Sequence, residues 1–347
     1  MFQDSFKYYK AKNQPPDLKN VIDIDRVDED GLDCRLKSFP VSFALTANYP
    51  GLISPKLWRV FELVDRPGLI IVNNPFTKHA QRYWMTRSLC DYPKHPNHTN
   101  LLESVKEKYS YFDSNESSEG FDWWSIGQTI EEPQEKRKFL KLLRWTTLGY
   151  HYDWTNKVYD EAQRNEFSPD LASLCRYFAE VLGFRQFRPE AAIVNYYPVG
   201  STLAGHTDHS EKNLEAPLFS FSFGQPAIFL IGGPSKAERP DALLLRSGDV
   251  VVMTHASRLC YHAVPRVFPC TQSAQQRWSP GSDGTAGEEH PEGQSTTICC
   301  TPISTTVWND CRETGSPHHW SAFADYISNS RININIRQVL NEGENHL

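Results

Sequence analysis

The run Arg331-Ile-Asn-Ile-Asn-Ile-Arg337 alternates polar and apolar residues at every step. Successive side chains of a strand point to opposite faces. Arg331, Asn333, Asn335 and Arg337 therefore share one face, and Ile332, Ile334 and Ile336 the other. An isoleucine face packs into a core. The opposite face, with two guanidiniums and two amides, does not suit an ordinary edge. It lines a cavity that holds an anion, because a buried Arg requires a carboxylate or phosphate partner.

Upstream stand His206-Thr-Asp208 and, farther along, His262. Residues i and i+2 of a strand face the same way, so His206 and Asp208 can grip one ion from a single strand or strand end. The third ligand can come from a distant strand. Two histidines and a carboxylate are the ligand set of a non-haem Fe(II) oxygenase, which leaves positions on the metal open. His209 falls on the other strand face from Asp208, and it and His255 are not assigned to the metal. Iron beside an anion pocket suggests 2-oxoglutarate, a dicarboxylate that chelates iron at one end and needs a cation at the other.

These residues sit within a longer ordered set: Asn195-Tyr-Tyr-Pro198, His206-Thr-Asp208, Ser247-Gly-Asp-Val-Val-Val-Met253 with Ser257-Arg-Leu-Cys-Tyr-His262, and Arg331 to Arg337. In that order they resemble the AlkB family of Fe(II)/2-oxoglutarate dioxygenases. Phe219-Ser-Phe-Ser-Phe-Gly-Gln225, Ala227-Ile-Phe-Leu230, His262-Ala-Val-Pro-Arg266 and Leu148-Gly-Tyr-His-Tyr152 bring the resemblance nearest to the first type of animal homologue. The resemblance implies Fe(II), 2-oxoglutarate and O2, with His206, Asp208 and His262 on the metal. It implies Arg331 and its hydroxyl partner Tyr197 at the distal carboxylate, with Asn195 nearby. Arg337 is expected near the metal and Asp208, and Asn333 between the two arginines as a donor. Where the family often carries Thr, this chain has Asn335; an amide can donate and accept as a hydroxyl does.

The implied activity is oxidation of methylated bases. In tRNA these are 1-methyladenosine and 5-methylcytidine, and in DNA N6-methyladenine and 3-methylcytosine. Hydroxylation of an N-methyl group releases formaldehyde, whereas on carbon the oxidised group remains. A base inside a duplex would have to be flipped out or already unpaired. The resemblance also implies mitochondrion and nucleus, which no signal in the chain marks. A monomer is expected. The rivals are a protein hydroxylase or demethylase on the same fold, and a catalytically silent binding module.

The organisation agrees with an oxygenase. The runs 67–75, 191–197, 218–223, 227–231, 242–245, 250–253 and 331–339 read as strands, and 145–154 as a strand pair or strand-loop. Turns such as Gly232-Gly-Pro and Ser247-Gly-Asp separate them. Helices are predicted over 78–90, 100–108, 131–145 and 168–183. The expected class is α+β: a double-stranded β-helix (jelly roll) core with N-terminal helical support and a nucleotide-recognition lid. Residues 1–66 read as a helical or irregular extension and 67–345 as the dioxygenase domain, with the lid at about 136–165. Trp145, Tyr150, Tyr152 and Trp154 make the lid region the most aromatic stretch, suited to stacking on a base. Alternation puts Tyr150, Tyr152 and Trp154 on one strand face. Arg137, Lys141 and Arg144 would form a basic stripe on the 131–145 helix that could touch phosphates, or a solvated face balanced by Glu131, Glu132 and Glu135.

Residues 270–320 read as a polar insertion between the strands bearing His262 and Arg331. Cys299, Cys300 and Cys311, with His318 and His319, read as part of that loop rather than as a zinc cluster. The eight cysteines are scattered through 347 residues, which fits a reducing compartment rather than a disulfide scaffold. A net charge of −6 argues against retention on nucleic acid by bulk electrostatics, so any binding must use a local basic surface. No apolar run is long enough to span a bilayer.

Overall fold

The computed structural model describes residues 1–27, 33–42, 48–109, 120–270, 275, 277–279, 297–298, 301–302 and 317–347. Its strands in chain order begin with β1 (Leu36–Ser38), β2 (Arg59–Leu63), β3 (Leu69–Asn73), β4 (His98–Thr99), β5 (Trp145–Gly149), β6 (Tyr152–Asp153), β7 (Val158–Tyr159), β8 (Ala191–Pro198) and β9 (Leu203–His206). They continue with β10 (Leu218–Gly224), β11 (Ala227–Ile231), β12 (Asp241–Leu245), β13 (Val250–Met253), β14 (His262–Val267), β15 (Thr297–Ile298), β16 (Thr301–Pro302) and β17 (Ser330–Arg337).

Two antiparallel sheets result. The larger has nine strands in the order β1-β2-β3-β13-β10-β17-β8-β5-β4, and the smaller runs β12-β11-β14-β9. The alternation of β17 decides which face goes where. Ile332, Ile334 and Ile336 are fully buried on the outer face of the large sheet, with Phe219, Phe221 and Phe223 of β10. Helices Lys78–Cys90, Trp123–Thr129 and Pro169–Val181 cover that face. The Pro169–Val181 helix buries Leu171, Leu174, Cys175 and Phe178, carries Pro at its first turn, and is followed by Gly183 at φ 92. A second core fills the space between the sheets, where Ile71, Val251, Met253 and Leu218 meet Phe229, Ile231, Leu243, Leu245 and Val264. The polar face of β17 looks into this same space, at the end where apolar filling gives way to a cavity.

Three segments differ from expectation. The 131–145 helix covers only Pro133–Leu140; Trp145–Gly149 is strand, as read for 145–154, and pairs with β8 from Trp145↔Asn195 to Gly149↔Ala191. Lys141 and Arg144 lie beyond the end of this helix, so Arg137, Lys141 and Arg144 do not share one helix face. Residues 1–66 supply strands as well as a helix. The Phe2–Lys10 helix lies against β14 and β9, and β1 and β2 extend the large sheet. Within the polar insertion, Trp278 is buried and Arg277 pairs with Asp25 and Asp249. Cys299, Cys300 and Cys311 lie outside the described residues, as do the side chains of His318 and His319. No described helix is long and apolar enough to cross a membrane.

Candidate metal and cosubstrate site

His206 ends β9 and His262 begins β14, and the two are direct partners across that antiparallel pair. Cross-strand partners bring their side chains together on one face; here the imidazole centroids are 4.3 Å apart. Asp208 lies two residues past the strand end. Its carboxylate stands 3.9 Å from His206 Nε2 and 3.6 Å from His262 Nε2. One ligand atom from each of the three lies within 4.8 Å of the others, the only such group among the described residues.

Both histidines are oriented by the backbone. His206 Nδ1 donates to the Ala204 carbonyl at 2.9 Å and His262 Nδ1 to the Cys260 carbonyl at 3.1 Å. That fixes the tautomer and leaves each Nε2 lone pair facing Asp208. Burial, then the neighbouring His206, pushes His262 down to about 4, so its ring stays neutral and able to ligate. For Asp208, burial pushes the carboxyl upward. Arg337 and the two histidines outweigh this and hold it well below the usual carboxylate range. His209 lines the cavity, but its Nδ1 is engaged with Thr207 and it is not part of the ligand group.

A cavity of 410 Å³ opens from this group, lined by the polar faces of β8 and β17. Arg331 is 2% exposed. One of its nitrogens donates to Ser222 Oγ at 2.9 Å, while Nε and Nη1 have no hydrogen-bond partner among the described residues. Tyr197 is buried beside it, its ring 5.6 Å from the guanidinium carbon and its hydroxyl also unpartnered. Burial raises the Tyr197 phenol to about 12 and lowers Arg331 to about 10, so at neutral pH one is a neutral donor and the other a cation. Buried donors are rarely left unmet. Three of them around one cationic centre fit a carboxylate, and the donor set near the metal group fits 2-oxoglutarate.

The expected site residues divide as follows. Asn195 lines the cavity, paired in register with Asn333. Asn333 lines it too, but its amide already donates to Ser220 Oγ and the Phe221 carbonyl, and its oxygen accepts from Asn335. Arg337 donates to Asp208 Oδ2 at 2.9 Å. Tyr152 and Trp154, on and beside the β6–β7 hairpin, line the cavity mouth with Lys157. Trp145 supports them from behind, its ring 5.3 Å from that of Trp154. Tyr150 is a correction: it does not line the cavity. Gly149, at φ 73, ends β5 and breaks the alternation on which the shared face depended. Tyr150 packs instead with Tyr159, Val339 and Leu340, and donates to Glu161 at 2.7 Å.

Glu211 and Arg258 carry no mark in the periodicity, and sequence reasoning assigned them no role. Both are buried. The available signals were proximity to Asp208 for Glu211, and the Ser257–His262 stretch for Arg258.

Comparison with known proteins adds to this geometry. A family profile described as the 2OG-Fe(II) oxygenase superfamily matches residues 68–337. The chain is 35% identical over 360 aligned positions to the nucleic acid dioxygenase ALKBH1 of Mus musculus, covering 99% of this chain and 85% of that protein. It is 33% identical to the DNA N(6)-methyladenine demethylase ALKBH1A of Arabidopsis thaliana, covering 81% of this chain and 77% of the relative. It is 36% identical to the tRNA demethylase abh1 of Schizosaccharomyces pombe, covering 70% and 85% respectively.

Proposed function

The chain belongs to the 2OG-Fe(II) oxygenase superfamily, among the AlkB homologues, and from that premise we propose that it oxidatively demethylates methylated bases in nucleic acid. The observation that carries the reading is the pair of unmet buried donors on Arg331, which lines one cavity with the His206–Asp208–His262 group and has the unmet Tyr197 hydroxyl's ring beside it. In this reading the two sheets are the halves of a jelly roll, and the β6–β7 hairpin with its flanking residues is a nucleotide-recognition lid.

His206, Asp208 and His262 would hold Fe(II). Arg331 and Tyr197 would hold the distal carboxylate of 2-oxoglutarate, with Asn195 alongside. Bound iron supplies the oxygen chemistry that couples decarboxylation of 2-oxoglutarate to hydroxylation of a methyl group. The protein's part is to orient and exclude. Arg337 fixes the Asp208 carboxylate, and the apolar walls at Leu218, Phe229 and Val264 keep the cavity dry on one side. Tyr152 and Trp154 offer aromatic faces at the mouth, and Trp154 is 46% exposed. Aromatic faces next to Lys157 suit a base with its phosphate. A methyl group on nitrogen leaves as formaldehyde once hydroxylated. The mouse, plant and yeast relatives are named for nucleic acid, DNA and tRNA. With the sequence resemblance, the reactions proposed are demethylation of 1-methyladenosine and oxidation of 5-methylcytidine in tRNA, and demethylation of N6-methyladenine and 3-methylcytosine in DNA.

The test is mass spectrometry of nucleosides from tRNA and from methylated DNA. Each is incubated with protein, Fe(II), ascorbate and 2-oxoglutarate, beside an Asp208→Ala control. Loss of a methylated nucleoside that requires both 2-oxoglutarate and Asp208 supports the reading. Turnover of 2-oxoglutarate with every nucleoside unchanged refutes the nucleic acid assignment.

A further inference from the structure

We propose that Glu211 is a positioning residue that fixes the metal-binding Asp208 and ties the lid hairpin to it. This rests on His206, Asp208 and His262 being metal ligands. Glu211 sits between two buried arginines. Its Oε1 stands 3.0 Å from Arg337 Nε as an ion pair, and its Oε2 accepts from Arg258 Nη2 at 3.0 Å. Each arginine then reaches Asp208 by a different route. Arg337 Nη2 donates to the Asp208 carboxylate at 2.9 Å, and Arg258 Nη1 donates to the Asp208 main-chain carbonyl at 2.7 Å. Arg258 Nε adds a bond to the Ala216 carbonyl at 3.0 Å, which anchors it to the scaffold. The side chain and the backbone of one metal ligand are thus both held by guanidiniums that converge on a single carboxylate.

The charges explain why that carboxylate is needed. Asp208 alone would face two buried cations, and an uncompensated buried charge is expensive. With Glu211 the four groups balance, two negative against two positive. The planar guanidinium of Arg337 is hydrogen-bonded to one carboxylate and faces the other at ion-pair distance, which favours one orientation. A third bond reaches outward: Tyr159 of β7 donates its hydroxyl to the same Oε1 at 3.0 Å. Tyr159 stacks edge-on against Tyr152 at 5.4 Å, and Tyr152 reaches Ser210 Oγ at 3.2 Å. The hairpin that carries the cavity's aromatic mouth is therefore bonded to the carboxylate that organises the metal ligand.

The proposal is tested by Mn(II) binding to the full metal-free chain, followed by the electron paramagnetic resonance signal of free Mn(II), at a temperature where each variant is fully folded by circular dichroism. Glu211→Gln keeps the shape and removes the charge, so both ion pairs are lost and one guanidinium faces an amide NH2 in place of its carboxylate oxygen. The Mn(II) dissociation constant is expected to rise about 10–100-fold, as for partners that orient metal ligands elsewhere. Tyr159→Phe keeps both ion pairs and removes one hydrogen bond, for an expected rise of about fivefold. A folded Glu211→Gln that binds Mn(II) within about twofold of the parent overturns the proposal. If that variant does not fold, an unchanged Tyr159→Phe overturns it. A merely structural role would lower thermal stability and leave the Mn(II) constant where it was. A parent chain that binds no Mn(II) overturns the ligand assignment along with this proposal.

Discussion

Replacing Arg331 with Met should stabilise the protein without 2-oxoglutarate and destabilise it, relative to the parent, in its presence. Arg331 is 2% exposed, and two of its nitrogens lack partners. Burial lowers it from the ordinary 12.5 to about 10. A folded-state value below the unfolded one means that the unfolded chain holds the proton more tightly. The penalty is therefore fully present below pH 10 and fades as pH rises toward 12.5. At about 1.4 kcal/mol per tenfold change, it is on the order of 3 kcal/mol at neutral pH. Met has a similar length and no charge, and its introduction removes that penalty. It also removes the bond to Ser222 Oγ, worth about 1 kcal/mol. The net gain is about 2 kcal/mol, or roughly 3 °C in Tm.

Adding 2-oxoglutarate reverses the order. At a hundredfold excess over Kd the parent gains about 2.7 kcal/mol, while the variant, with no cation at the distal carboxylate, gains almost nothing. The assay is differential scanning calorimetry in Mn(II), with and without 2-oxoglutarate. The reasoning is refuted by a variant less stable than the parent without cosubstrate, or by equal stabilisation of both by 2-oxoglutarate.

Three further outcomes are expected. Trp154→Ala should change stability by less than about 0.5 kcal/mol and weaken binding of a methylated oligonucleotide by about 1–3 kcal/mol, read by fluorescence anisotropy. Tyr150→Phe should leave that binding unchanged and lower stability by about 1 kcal/mol, since its hydroxyl serves Glu161 and not the cavity; a loss of oligonucleotide affinity would return Tyr150 to the substrate site. Burial also governs acid stability. It pushes His262 down to about 4 and, reinforced by His98, His151 down to about 3. Both are thus more readily protonated unfolded than folded, and stability falls as pH drops below about 6.5. Urea unfolding of the metal-free chain should lose about 2 kcal/mol for each between pH 6.5 and pH 5. His151→Gln should halve the loss, and an unaltered slope would discount the burial argument.

The residues proposed to hold cosubstrate and metal were legible because their signals are local. Strand alternation needs only neighbouring positions, so Arg331 to Arg337 announced a polar face and an isoleucine face, and β17 has both. The spacing of His206 and Asp208 is likewise local, and strands β11 and β13 fell where apolar runs between turns put them. Tertiary structure decided what depends on partners far along the chain. Only the β9–β14 register sets His206 opposite His262. Only pairing with β8 fixed how far the strand from Trp145 runs, and the turn at Gly149 then sent Tyr150 away from the cavity. Glu211 and Arg258 were silent in the sequence for a related reason. A charged residue reads as solvated until its counter-charges are known, and here they come from Arg337 and the Asp208 loop. Alternation is a property of adjacent residues and survives in one dimension. Burial of a charge is a property of what the fold brings around it.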